Sequence, residues 1–168
     1  MIDRFRVVPA AYVIFRREGP AGPQVLLQLR QGTGYMDGHW ACAAAGHVEA
    51  GEPVQATARR ETLEELGVEI GPADLVPLCG MHRTSGPHWI DERVDFFFEC
   101  RAWTGEPALR EPDKAVDLRW FALDDLPRPV VPHELFVLDH LARGTLAPIV
   151  SFGFDPAART AAARQPSA

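Results

Sequence analysis

The sequence predicts an α/β (α+β) domain in which a mixed β-sheet packs between helices. Two observations carry this prediction. Apolar or alternating runs of strand length recur along the chain, and two longer segments between and after them carry a helical period instead. No internal repeat and no linker divides the chain, and 168 residues is the size of one domain able to bury a substantial core.

The elements follow in order. Residues 7–15 and 25–29 are strand-like, and the REGPAGPQ segment between them is rich in turn formers, as a hairpin connection is. A third run covers residues 39–44. A helix follows from about residue 53 to residue 66, with Gly67 where a helix end favours a left-handed residue. Residues 75–82 and 93–100 (RVDFFFEC) are further strands, the latter the stronger. Residues 118–121 form a short strand ended by the Leu-Asp-Asp-Leu-Pro turn at 123–127. In residues 133–143, Leu135, Leu138 and Leu141 recur at helical spacing, and Gly144 marks the stop. The chain then turns small and polar, so the domain is expected over residues 1–150, with 151–168 a tail predicted to end in disorder.

Composition narrows the function. The chain is 46% hydrophobic and 24% charged with both signs mixed, as in a soluble globular protein. A net charge of -6 argues against a binder of nucleic-acid polymers, which would show a basic field. It leaves nucleotides open, because a metal supplies positive charge locally. Cys42, Cys79 and Cys100 are odd in number, widely spaced and without a CxxC pair, which reads as reduced, buried thiols in a cytoplasmic protein. No apolar run approaches the ~18 residues of a membrane span, and the N-terminus is charged too early for a signal peptide.

Within the first helix, Glu61, Glu64 and Glu65 stand at i, i+3 and i+4, an arc of roughly 100° on one face. Like charges at this spacing cost about 0.2–0.5 kcal/mol per pair, and acids in a last helical turn meet the negative end of the helix dipole. Breaking two local rules at once marks a functional site. A hard divalent cation is the simplest compensation, since Mg²⁺ and Mn²⁺ favour clustered carboxylate oxygens. Gly46 and Gly51 punctuate the loop before the helix, Glu52 precedes its first turn, and Arg60 stands four residues before Glu64.

The spacing Gly46, Glu52, Arg60-Glu61-Thr62-Leu63-Glu64-Glu65-Leu66-Gly67 resembles the signature box of the Nudix hydrolases, here residues 46–68, without a gap. Thr62 replaces a more usual aliphatic residue, and Ala43-Ala44-Ala45-Gly46 replaces the common Leu-Pro-Gly-Gly entry. The resemblance implies an α/β/α sandwich and a pyrophosphohydrolase using Mg²⁺, with Mn²⁺ as the alternative. It assigns Glu61, Glu64 and Glu65 to the metal, with the Gly46 carbonyl as a further ligand. Arg60 then orients the carboxylates, and Glu52 supports it. Glu64 or Glu65 positions the water, or an acidic residue of a distant loop does so. Glu111 and Asp113 are the loop candidates, with Glu111 as a further metal ligand, and a plain polar turn built on Glu-Pro-Asp is the competing role.

Other residues are weighed against blander roles. His82, His88 and Trp89 lie in a polar segment (MHRTSGPHWIDER) long enough to cover a substrate, and Arg83 or Arg93 would meet a phosphate or form a surface salt bridge. Tyr35 and Trp40 flank a turn and would stack on a base or simply pack. His133 and Glu134 open the last helix. In oxidised-purine-nucleotide hydrolases, which this region resembles loosely, acidic residues there read the base edge, and a dipole-favoured Glu134 is the competing role.

The leading expectation is a hydrolase of the diphosphate linkage in a nucleoside diphosphate derivative, foremost a nucleoside triphosphate cleaved to monophosphate and pyrophosphate. ADP-ribose or another nucleotide sugar is the alternative substrate. A non-catalytic nucleotide-sensing module, and an isomerase needing a catalytic cysteine, are the competing classes. The partner expected is a small nucleotide rather than a nucleic-acid polymer or a membrane, and a homodimer is left open.

Overall fold

A computed structural model describes residues 5–85 and 92–154. The elements are β1 (Val8–Gly19), β2 (Gly22–Arg30), β3 (Trp40–Cys42), β4 (Ala44–His47), α1 (Val54–Leu66), a 3-10 turn (Pro72–Asp74), β5 (Leu75–Arg83), β6 (Arg93–Cys100), β7 (Ala115–Ala122), α2 (Pro132–Arg143) and β8 (Ile149–Phe152). All eight strands join one mixed sheet with the path β3-β2-β1-β6-β5-β8, while β4 pairs with β1 and β7 with β2.

β1 organises the sheet. Its first half pairs parallel with β6, from Val8 opposite Arg93 to Phe15 opposite Cys100, and antiparallel with β4. Its polar second half forms the hairpin with β2, which is why the strand outruns its apolar segment. Side chains alternate across a strand. Accordingly Ala10, Tyr12 and Ile14 enter one core with Val137 and Leu138 of α2, and Ala11, Val13 and Phe15 enter another with Ala58 and Leu66 of α1. The result is the expected sandwich of helix, sheet and helix.

Two expectations need correction. The single run at 39–44 divides into β3, paired with β2, and β4, paired with β1, because the two halves serve different neighbours. β4, the second of the two, ends at His47, inside the signature box. β8 crosses the expected boundary at residue 150, with Ser151 and Phe152 in parallel register with His82 and Arg83. Four half-exposed residues carry no periodicity strong enough to mark such an edge strand. His88, Trp89 and the end of the tail lie outside the described residues.

Candidate active site

α1 is a polar helix that buries only Thr57, Ala58, Thr62 and Leu66. With so little apolar surface, a helix of 13 residues is marginal alone, and backbone and side-chain bonds hold it to its surroundings. At its C-terminus Gly67 takes φ 69° and donates to the Leu63 carbonyl. The segment before β7 satisfies two more carbonyls, with Ala108 N donating to Leu66 O at 3.1 Å and Arg110 N to Glu65 O at 2.9 Å. The same segment delivers Glu111 to the helix end. Thr62 is tolerated in the core because its hydroxyl donates to the Ala58 carbonyl at 2.8 Å.

The glutamates divide by exposure. The Glu64 side chain is 53% exposed and lies at the rim, whereas Glu61 is 15% exposed. Glu61 and Glu65 face β4. A Cβ on Gly46 would collide with the Glu61 carboxyl group, so the glycine lets that side chain lie directly over β4. Ala45 N donates to Glu65 Oε2 at 2.9 Å. Arg60 spans the other side: its Nε and Nη2 grip the Glu52 carboxylate at 3.0 Å each, and Nη1 meets Glu61 at 2.6 Å and Glu64 at 3.3 Å. Hydrogen bonds from Arg60 and Thr57 hold Glu52 down to about 2. Arg60 thus bridges Glu52 on one side and Glu61 and Glu64 on the other.

Burial, then the nearby Glu61 and Glu111 charges, push Glu65 up to about 8 against the lowering bond from Ala45. Burial likewise raises Glu61, against Arg60. This carboxylate cluster is short of positive charge, and its donors are all oxygen, which suits a hard divalent cation. The set expected for the metal is nevertheless only partly assembled. Among the described residues, no three His, Cys, Asp or Glu side chains converge into a ligand group. Glu64 faces solvent, and Glu111 is drawn aside by Lys114 Nζ at 2.8 Å.

On the α2 side of the sheet lies a cleft of about 320 Å³ lined by Tyr35, Met36, Arg83, His133, Phe152 and neighbouring loop residues. Tyr35 and His133, both expected to meet substrate, therefore share one cavity. His133 is 3% exposed and its Nε2 lies 3.2 Å from the Tyr12 hydroxyl. Burial, then Arg83, Arg30 and Arg93, hold His133 down to about 3, so the ring is neutral.

Glu134 departs from expectation. It is 3% exposed, turns inward rather than outward, and accepts a hydrogen bond from the Cys42 backbone N–H. The first turn of α2 lies against β3, and one residue further along the helix points back into the core. Trp40 packs edge-on against Phe121 with ring centroids 4.7 Å apart, which is a core role. His82 pairs with Glu92 at 2.9 Å, and Asp113 is exposed at the surface. Two residues beside these groups that sequence reasoning passed over are Ala45, which contributes a backbone N–H to Glu65, and Asp95. Asp95 is fully buried, ion-pairs with Arg83, and among the described residues its Oδ1 has no hydrogen-bond partner. Its place within an apolar strand (RVDFFFEC) was the available signal.

Comparison with known proteins places this geometry. The NUDIX domain family model matches residues 5–141. The crystal structure of a MutT NUDIX hydrolase from Burkholderia pseudomallei superposes with a TM-score of 0.70 at 29% identity, covering 80% of this chain and 97% of that one. The NAD-capped RNA hydrolase NudC of Pseudomonas aeruginosa is 31% identical over 136 residues, 81% of this chain and 43% of that protein. The chain thus spans less than half the length of the NudC relatives it matches. The NUDIX domain of Shewanella oneidensis NrtR, solved with ADP ribose, shares the fold at 17% identity and a TM-score of 0.66, covering 84% of this chain and 90% of that one. With the box glutamates on α1, the glycine beneath them and a family match across most of its length, the chain belongs to the NUDIX family.

Proposed function

We propose that this protein is a metal-dependent hydrolase of the diphosphate linkage in a nucleoside diphosphate derivative, with a nucleoside triphosphate as the leading substrate and monophosphate plus pyrophosphate as products. The observation that carries the reading is the pairing of Glu61 and Glu65 over the Gly46–Ala45 backbone, with Arg60 tethered to Glu52 behind them. Glu61, Glu65 and the Gly46 carbonyl would hold a divalent ion, Mg²⁺ in the first instance, with Glu64 and Glu111 swinging in from the rim. A bound ion of this kind supplies charge neutralisation at the phosphoryl oxygens and lowers the pKa of bound water. Arg60 would keep the carboxylates from splaying apart, and Glu64, the most exposed of the three, would orient the attacking water, with Glu65 or Glu111 as the alternatives. The cleft around Tyr35 and His133 would receive the nucleoside. A small soluble substrate and a cytoplasmic setting accompany this reading; among the described residues no helix is long and apolar enough to cross a membrane.

A second reading has its own support. The curated relatives include NAD-capped RNA hydrolases, so a dinucleotide joined through a diphosphate belongs beside ADP-ribose as an alternative substrate. The deciding experiment is a panel of nucleoside triphosphates, ADP-ribose, NAD and dinucleoside polyphosphates, each with Mg²⁺ or Mn²⁺. Turnover that requires metal and disappears in Glu65→Gln supports the hydrolase. No turnover across the panel, with nucleotide binding retained, would replace it with a sensing module.

A further inference from the structure

On the α2 face, Arg83 of β5 stands directly opposite Arg93 of β6 in antiparallel register. Like charges facing each other across neighbouring strands are destabilising, and a broken local rule of this kind calls for a functional explanation. Arg83 has its own counter-charge: it is 5% exposed, ion-pairs with Asp95, and its Nη2 lies 3.4 Å from the Tyr12 hydroxyl. Among the described residues Arg93 makes no close ion pair of its own, and Asp95, two residues along the same strand, is the carboxylate that feels its charge. Its Nη1 donates instead to the His47 ring Nε2 at 2.6 Å, a neutral acceptor in that geometry. Glu92 pairs with His82, and Asp95, ion-paired with Arg83, is one carboxylate shared between two guanidinium groups, which leaves net positive charge at this point. Arg30 adds to the same positive field, since it acts with Arg83 and Arg93 on His133.

The position of this charge matters as much as its sign. His47 follows Gly46 at the end of β4, and its carbonyl accepts from Arg60 Nη2 at 3.3 Å. Arg93 therefore adjoins the strand that underlies the glutamate cluster on one side. On the other it faces Arg83, which lines the cleft. A substrate reaching from the glutamates to the cleft would carry phosphate across this point. Its phosphate on the nucleoside side would meet a guanidinium there, where a partly exposed Arg gives short, charge-assisted hydrogen bonds.

We propose that Arg93 is an anion-binding residue that grips the nucleoside-side phosphate of the substrate, with His47 holding the guanidinium in place and Arg83 reinforcing the positive field. The identity of the substrate rests on the hydrolase reading, but the anion site is testable without turnover. Inorganic pyrophosphate is titrated calorimetrically into the full chain in the presence of EDTA. Pyrophosphate binds the wild type, Arg93→Gln weakens binding about tenfold or more, Arg93→Lys weakens it less, and Arg101→Gln, a surface arginine at the other end of β6, leaves it unchanged. With metal and a hydrolysed nucleotide, Arg93→Gln raises KM by more than it lowers kcat. The proposal is overturned if the wild type does not bind pyrophosphate, if Arg93→Gln binds it as tightly as the wild type, or if Arg101→Gln weakens binding equally. Pyrophosphate binding through Arg93 in a protein that hydrolyses nothing would sink the hydrolase reading and leave this site standing.

Discussion

Glu65 is the side chain on which most depends. Its carboxylate is partly buried beside Glu61, with one backbone N–H as its bonded partner and no arginine. Glu65→Gln keeps the shape and removes the charge. Turnover is expected to fall by more than tenfold, about 1.4 kcal/mol of transition-state stabilisation, while the metal-free protein melts no lower than the wild type. Retained activity above a tenth of the wild type would remove Glu65 from the site. Gly46→Ala tests the same arrangement from beneath. Its methyl would collide with the Glu61 carboxyl, the far end of a flexible side chain, so that group must swing out of its place, and activity is expected to drop while the melting temperature changes little. Glu134 offers a contrast. Because it accepts from the Cys42 N–H inside the core, Glu134→Ala should cost about 1–3 kcal/mol of stability. Its effect should be uniform across bases; a loss confined to one base in parallel kinetics would restore Glu134 as a base reader. His133 is held down to about 3 in the fold, against an ordinary 6.5. Between those values the unfolded chain binds a proton that the folded chain does not. The stability contributed by the neutral ring is therefore complete above pH 6.5 and lost as pH falls toward 3. Urea midpoints from pH 7 to 5 should fall less steeply in His133→Asn than in the wild type.

Among the elements, α1 and β4 act as one unit. The helix brings the carboxylates and the strand brings the glycine and the Ala45 N–H, so neither makes a site by itself. Acidic residues are absent from the first turn of α1 and basic ones from its last, leaving the helix dipole uncompensated by its own sequence. Gly67→Ala forces a side chain onto φ 69° at the helix end, a strain of about 1–2 kcal/mol. It also crowds Arg110, whose Nε lies 2.4 Å from the added Cβ position. Since Arg110 N caps the Glu65 carbonyl next to Glu111, activity is expected to suffer along with melting temperature. A variant that melts lower yet keeps full activity at low temperature would show that the 108–111 segment serves the helix alone.

The assembled protein places its acidic cluster on the α1 side of the sheet and its arginine-lined cleft on the α2 side, with β4 between them. Binding of Mg²⁺ or Mn²⁺ to the folded state alone should raise the melting temperature with concentration, by mass action amounting to about 2.7 kcal/mol at a hundredfold excess over Kd. The shift should vanish in a Glu61→Gln, Glu65→Gln double variant. An unchanged wild-type melting curve across millimolar metal, together with no activity, would return α1 to an ordinary solvated acidic helix.

Sequence alone determined the helix-forming segments, the central strands and the signature set from Gly46 to Gly67, because those depend on local period, glycine placement and fixed spacing along one helix. It also marked Arg60 as a partner of carboxylates, since a helix brings i and i+4 together wherever it sits. Tertiary structure decided the rest. Only the packing of β4 against α1 separates Glu61 and Glu65 from the solvent-facing Glu64, because exposure depends on what covers a helix face. Only the seating of α2 turns Glu134 inward while leaving its neighbour His133 at the cleft. Strand register, set by long-range pairing, puts Arg83 opposite Arg93 and brings His47 to it across 46 residues of chain. No local pattern encodes such a meeting, because the distance between two residues in the chain does not fix their distance in a sheet.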